Sequence, residues 1–169
     1  SALCKSILRI LPAKGHITGG SIRFDGRDLL ALAAKEMRGL RGGQIAMILQ
    51  DPATSLDPTR TIGMQICETI RLHERISRKA AAERAESLLR MAGIDAPRER
   101  LRQYPHQLSG GQRQRAVIAM ALCCRPRLLL ADEPTTALDV TIQAQILDLI
   151  RQLKEKTGMT VLLITHDLG

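Results

Sequence analysis

RPRLLLADEPT, residues 125–135, decides the fold. Leu128 to Ala131 are consecutive apolar residues, and they deliver two adjacent carboxylates, Asp132 and Glu133, just before Pro134. So short and uniform a run reads as a strand buried on both faces, and such strands belong to parallel sheets lying between helices. Ligands of these sheets gather outside the carboxyl ends of the strands. Two carboxylates delivered there suit a division of labour, Asp132 turned toward a Mg²⁺ ion on a nucleotide and Glu133 toward an attacking water. Taken alone, the pair fits a solvated acidic strand end as well.

Outward from this stretch, short apolar runs alternate with longer helical patterns, so the class is α/β. QIAMILQD (44–51) reads as a buried strand with a polar end and TVLLITHD (160–167) as a further strand of a sheet expected to lie between helices, and the spacing predicts a helix over 140–156 stopped by Gly158. At the start, Leu3, Ile7, Ile10 and Leu11 share one helical face that ends at Pro12. GGSIRFDGRDL (19–29) alternates Ile22 and Phe24 with polar residues and turns at Asp25-Gly26, as a half-exposed antiparallel strand does. From Pro58 to Gln107 the pattern becomes all-helical, with helices predicted over 62–73 and 78–91 and Gly93 ending the second. Three regions are therefore expected: an N-terminal part of the core over 1–57, a helical subdomain over 58–107, and a return to the core over 108–169.

The turn QLSGGQRQR, residues 107–115, places Ser109, Gly110 and Gly111 ahead of a helical run. A hydroxyl and bare amides at the positive end of a helix make an anion site. The same residues also serve simply to cap the helix and turn the chain.

Composition bounds the possibilities. A chain of 169 residues, 44% hydrophobic and 25% charged, suits one soluble globular domain. Its apolar runs fall far below the roughly 18 residues of a membrane span, and Lys5 and Arg9 interrupt the opening stretch where a signal peptide would be apolar. Cys4, Cys67, Cys123 and Cys124 form no metal-ligand or disulfide pattern and are expected as reduced, buried thiols of a cytosolic protein. The net charge of +8 admits a polyanionic partner, yet the arginines are dispersed, and one Tyr, one Phe and no Trp leave no platform for stacking bases. No nucleic acid is expected. His16, His73 and His106 lack ligand spacing and are expected to have no site role.

The ordered set LSGGQ (108–112), LLLADEPT (128–135), ALD (137–139) and LLITHD (162–167) resembles the ATP-binding subunit of the ATP-binding cassette transporters. The wording QDPATSLDPTRTIG (50–63) and YPHQLSGGQRQRAVIAMAL (104–122) is similar to the branch that imports dipeptides, oligopeptides and nickel, over essentially the whole chain. This resemblance implies a P-loop NTPase-like three-layer core with a mostly parallel sheet, an antiparallel strand near the N-terminus and an inserted helical subdomain. It makes Asp132 the carboxylate near Mg²⁺ and Glu133 the catalytic base or water-positioning residue. Gln50 becomes the glutamine that senses the γ-phosphate, and Ser1, Gln50 and Asp132 the group around Mg²⁺. Asp139 falls at the dimer seam, while His166 donates to charge on the transferred phosphoryl group. Ser109, Gly110, Gly111 and Gln112 form the signature turn, which reaches ATP held by the opposite subunit. The implied cofactors are ATP and Mg²⁺. The implied partners are a second ATP-binding subunit, identical or not, transmembrane permease subunits and, indirectly, a solute-binding protein, at the cytoplasmic face of the inner membrane.

One part of the family pattern has no match: G-x-x-x-x-G-K-[ST] occurs nowhere in the 169 residues. Ser1 aligns with its final serine, the alternative being an incidental first residue. The sequence is thus expected to be an internal segment of a nucleotide-binding domain, inactive toward ATP by itself. Two other functions fit parts of the pattern. A DNA-repair or chromosome-maintenance ATPase would carry a long coiled coil between Gln50 and Ser109, where only two short helical patterns lie. A degenerate, non-hydrolysing partner subunit would lack the phosphate loop altogether.

Overall fold

The computed structural model describes residues 1–136 and 138–165. In chain order it forms α1 (Ala2–Ile7), the hairpin β1 (Arg23–Phe24) and β2 (Arg27–Asp28), α2 (Ala34–Leu40), β3 (Ile45–Ile48) and α3 (Pro52–Ser55). There follow α4 (Ile62–His73), α5 (Arg78–Met91), α6 (Pro97–Arg100), a 3₁₀ turn at Pro105–Gln107, α7 (Gly110–Ala121), β4 (Leu128–Asp132), α8 (Val140–Thr157) and β5 (Thr160–Ile164).

The strands read from short apolar runs pair in parallel, in the order β3-β4-β5; β3 and β4 are buried as expected, whereas β5, paired on one side only, is at most half-buried. Ile45 lies opposite Leu128 and Leu128 opposite Thr160, and the register runs on to Asp132 opposite Ile164. Alternation along each strand then divides the side chains between two layers. Ala46, Ile48 and Leu129 join Val117, Ile118, Ile146, Leu149 and Ile150 of α7 and α8 in one core. Ile45 and Leu130 face the other way, onto Cys4, Ile7 and Leu8 of the N-terminal segment and Met37 and Leu40 of α2. The expected three-layer α/β core is present.

The helices begin where their caps stand. Thr61, Ser77, Ser109 and Asp139 each accept a hydrogen bond from an amide of the first turn of α4, α5, α7 and α8. The helical segment packs on the core. Ile62, Ile66 and Ile70 of α4 and Ala81, Ala85, Leu88 and Leu89 of α5 belong to the same hydrophobic cluster as α7 and the sheet.

The hairpin turns at Asp25-Gly26 as expected, both with positive φ (+53° and +76°), the pattern of a two-residue type I′ turn. Asp25 pairs with Arg127 at 2.5 and 3.1 Å, tying the hairpin to the segment that leads into β4. The guanidinium also holds the Asp25 carboxyl below its ordinary range. All four cysteines are free, but only Cys4 and Cys123 are buried. Cys67 and Cys124 are half-buried, contrary to expectation, because each lies at the margin of the core rather than in it. His73 packs beside Gly42 and Gly43, and His106 stacks on Tyr104.

Ala96 adopts a left-handed conformation (φ +49°, ψ 52°) as it caps α6. That conformation costs an alanine about 1–2 kcal/mol, against roughly 0.5–1 kcal/mol that glycine loses through its freer unfolded chain. Ala96→Gly is therefore expected to raise stability by about 0.5–1 kcal/mol, read as a higher urea midpoint of the full-length protein.

Candidate functional site

The carboxyl ends of β3 and β4 bring the expected polar residues to one place. Asp132 is the last residue of β4 and is only 3% exposed. Ser1 lies against its Oδ2. Its Oδ1 is buried without a hydrogen-bond partner. A carboxylate oxygen in that state is costly unless a cation or donor meets it.

Glu133 follows in a left-handed backbone conformation, φ +50°. For a residue with a side chain this costs of order 1–3 kcal/mol and persists only where the surroundings hold it. Two backbone hydrogen bonds do so, Glu133 N–H to Ile164 O at 2.8 Å and Thr136 N–H to Glu133 O at 3.2 Å. The bend carries the side chain toward the end of β3, where Gln50 Nε2 donates to Glu133 Oε2 at 2.8 Å. The hydroxyl of Thr136 donates to the same oxygen at 3.0 Å. Gln50 and Glu133 are 83 residues apart in the chain and meet only because β3 and β4 are neighbours.

A second group forms where α7 and α8 begin. Ser109 caps α7: its Oγ accepts from Gln112 N–H at 3.3 Å, and Gln112 Oε1 accepts from Ser109 N–H at 3.1 Å. The two readings of this turn are compatible. A hydroxyl oxygen that accepts from an amide still has its own proton to donate. Gly110 and Gly111 take the first two helical positions, whose amides have no acceptor inside the helix.

Asp139 caps α8 through Ile142 N–H at 3.0 Å. The two helix starts touch. A Cβ at Gly111 would lie 3.0 Å from Ile142 Cγ2, and one at Gly110 would lie 3.5 Å from Leu138 Cδ2. Packing against Ile142 thus favours a small residue at Gly111, a role that the sequence motif did not disclose. Among the described residues, Ser1, Gln50, Asp132 and Glu133 form one cluster and Ser109 to Gln112 with Asp139 the other. His166 lies outside the described residues.

Thr136 and Gln114 were not foreseen. Gln114 is 1% exposed, and its Nε2 donates to Pro134 O at 2.5 Å. The signal was available, since Gln114, Val117, Ile118 and Ala121 fall on one helical stripe and only the first is polar.

The fold is that of an α/β domain of the P-loop NTPase class. The family model described as ABC transporter matches residues 1–136. The chain belongs to the ABC transporter family. It is 57% identical to the probable peptide ABC transporter ATP-binding protein y4tR of Sinorhizobium fredii, over all of this chain and 51% of that protein. It is 55% identical to the dipeptide transport ATP-binding protein DppD of Bacillus subtilis, again over all of this chain and 51% of the relative. The chain therefore spans about half the length of the curated relatives it matches. Among solved structures, the ATP-binding cassette MJ0796, a dimer in a post-hydrolysis state bound to ADP and Pi, superposes with a TM-score of 0.80 at 31% identity, over 97% of this chain and 70% of that one.

The contact between the helix starts gives a stability test. Gly111→Val overfills the space against Ile142 and is expected to cost about 1–3 kcal/mol in chemical denaturation of the full-length protein. Adding Ile142→Ala should recover part of that loss, so that the two changes are not additive.

Proposed function

We propose that this chain is the core of the ATP-hydrolysing subunit of an importer for peptides, nickel or a related small solute, and that it works as one of a pair. The observation that carries the reading is the convergence of Gln50, Asp132 and Glu133 at the ends of two adjacent parallel strands, with one oxygen of Asp132 buried and unmatched. The names of the peptide and dipeptide transport relatives support the choice of cargo class.

The donor set fits Mg²⁺, a hard cation that takes oxygen ligands. Asp132 offers the orphaned Oδ1, and the Ser1 hydroxyl and Gln50 complete the group that would hold the ion. When bound, Mg²⁺ supplies charge neutralisation at the β- and γ-phosphates of ATP. Glu133 orients the attacking water and accepts its proton, with Gln50 and Thr136 fixing the carboxylate while it waits. His166 donates to the γ-phosphate oxygens. The Ser109 hydroxyl and the Gly110 and Gly111 amides, at the positive end of α7, face the γ-phosphate of the nucleotide on the second subunit, with Gln112 closing the cap behind them. Asp139 lines the seam. Residues 58–107 act as a helical subdomain turned, with Gln50, toward the permease subunits at the cytoplasmic face of the membrane. A solute-binding protein acts through the permease. Among the described residues no helix is long and apolar enough to cross a membrane.

Glu133→Gln in the full-length subunit, assembled with its permease, is expected to lower ATP turnover by about 10²–10⁴-fold while ATP still binds. Undiminished turnover would remove Glu133 as the base. Asp132→Asn is expected to weaken binding of Mn²⁺, a paramagnetic substitute for Mg²⁺ read by electron paramagnetic resonance, and unchanged binding would contradict the ligand assignment. Stimulation of turnover by a peptide-loaded rather than a nickel-loaded binding protein would decide the cargo.

A further inference from the structure

Gln114 is a residue with no evident stabilising purpose. It interrupts the apolar stripe of α7, is 1% exposed, and leaves its Oε1 buried without a partner. A buried amide satisfied on one side only gains little stability over an apolar side chain of the same shape, since the bond it makes is set against the oxygen it leaves unpaired. What the residue does make is a single hydrogen bond, Nε2 to the carbonyl oxygen of Pro134.

That carbonyl is well placed to matter. Pro134 follows Glu133, whose backbone is held at φ +50°. The proline ring sets φ of Pro134, and a donor on its carbonyl sets ψ, so the peptide leaving Glu133 has no soft dihedral on its far side. The donor comes from the fifth residue of α7, the helix whose first turn carries Ser109, Gly110 and Gly111.

We propose that Gln114 is a positioning residue for Glu133, a strut that fixes the turn bearing the base to the helix bearing the signature turn, so that neither shifts without the other. The proposal rests on the reading of Glu133 as the base. It implies that each subunit's own base is held in register with the phosphate-binding turn that the subunit presents to its partner.

The test uses the full-length subunit assembled with its permease, and the variant Gln114→Leu, which keeps the volume and removes the donor. The expected result is a kcat at least tenfold lower, a KM for ATP within twofold, and a thermal midpoint little changed, the loss of the bond to Pro134 being offset by removal of the unpartnered Oε1. Combined with Glu133→Gln, it should add no further loss, since the group it positions is already disabled. A kcat within twofold of the parent, or a loss that multiplies with that of Glu133→Gln, overturns the proposal, as does a fall in kcat tracked by a fall in thermal midpoint. Should Gln114→Leu fail to fold, Gln114→Met, equally without a donor but more adaptable in shape, takes its place with the same readings. The Glu133→Gln single variant keeps the two readings separate: if it loses turnover while Gln114→Leu does not, only the strut fails, and if it retains turnover the assignment of the base fails.

Discussion

Parallel pairing along both edges of β4 is the constraint on which the rest of the structure depends. With β3 on one side and β5 on the other, and with Leu129 and Leu130 facing different hydrophobic layers, the strand cannot slip by one residue without exchanging its faces. The register is therefore fixed, and the position of Asp132 opposite Ile164 with it. The ladder reaches one residue beyond the strand, where the amide of Glu133 takes the carbonyl of Ile164. Both carboxylates are thus placed by backbone hydrogen bonds of the sheet.

The same economy governs the helix starts. Ser109 and Asp139 satisfy amides of α7 and α8 through their side chains, and the bare glycines beside Ser109 let the two starts approach to contact. A turn shaped by capping and close packing already presents unused amides outward. Capping, close packing and an anion site all call for the same residues, which is why a local reading of the turn could not separate them.

Much of this was legible in the sequence. The bounds of α4 and α5 follow from their caps and from Gly93, and the three parallel strands from short apolar runs that end in polar residues. The hairpin followed from Asp25-Gly26, although its strands are only two residues each. Less visible were α2, whose start has Glu36 reaching back to the Ala33 amide instead of a capping side chain at Ala33 itself, and the one-turn helices α3 and α6. In the site, Asp132 and Glu133 were marked by their own neighbours in the chain. The bonds from Gln50 and Gln114 were not, because they join residues 83 and 20 positions apart and exist only once the sheet and α7 have assembled. Periodicity records which face a residue takes, not what it meets there.

The hydrophobic cluster that runs from α4 and α5 through α7 to the sheet has a thermodynamic consequence. The helical segment supplies only the smaller part of the core that stabilises it, and the rest belongs to elements on either side of it in the chain. Melting and refolding of this region are thereby coupled to those of the sheet, as one cooperative transition rather than two. The inner face of the segment is shared property, and a change there is felt at the strands that carry the carboxylates.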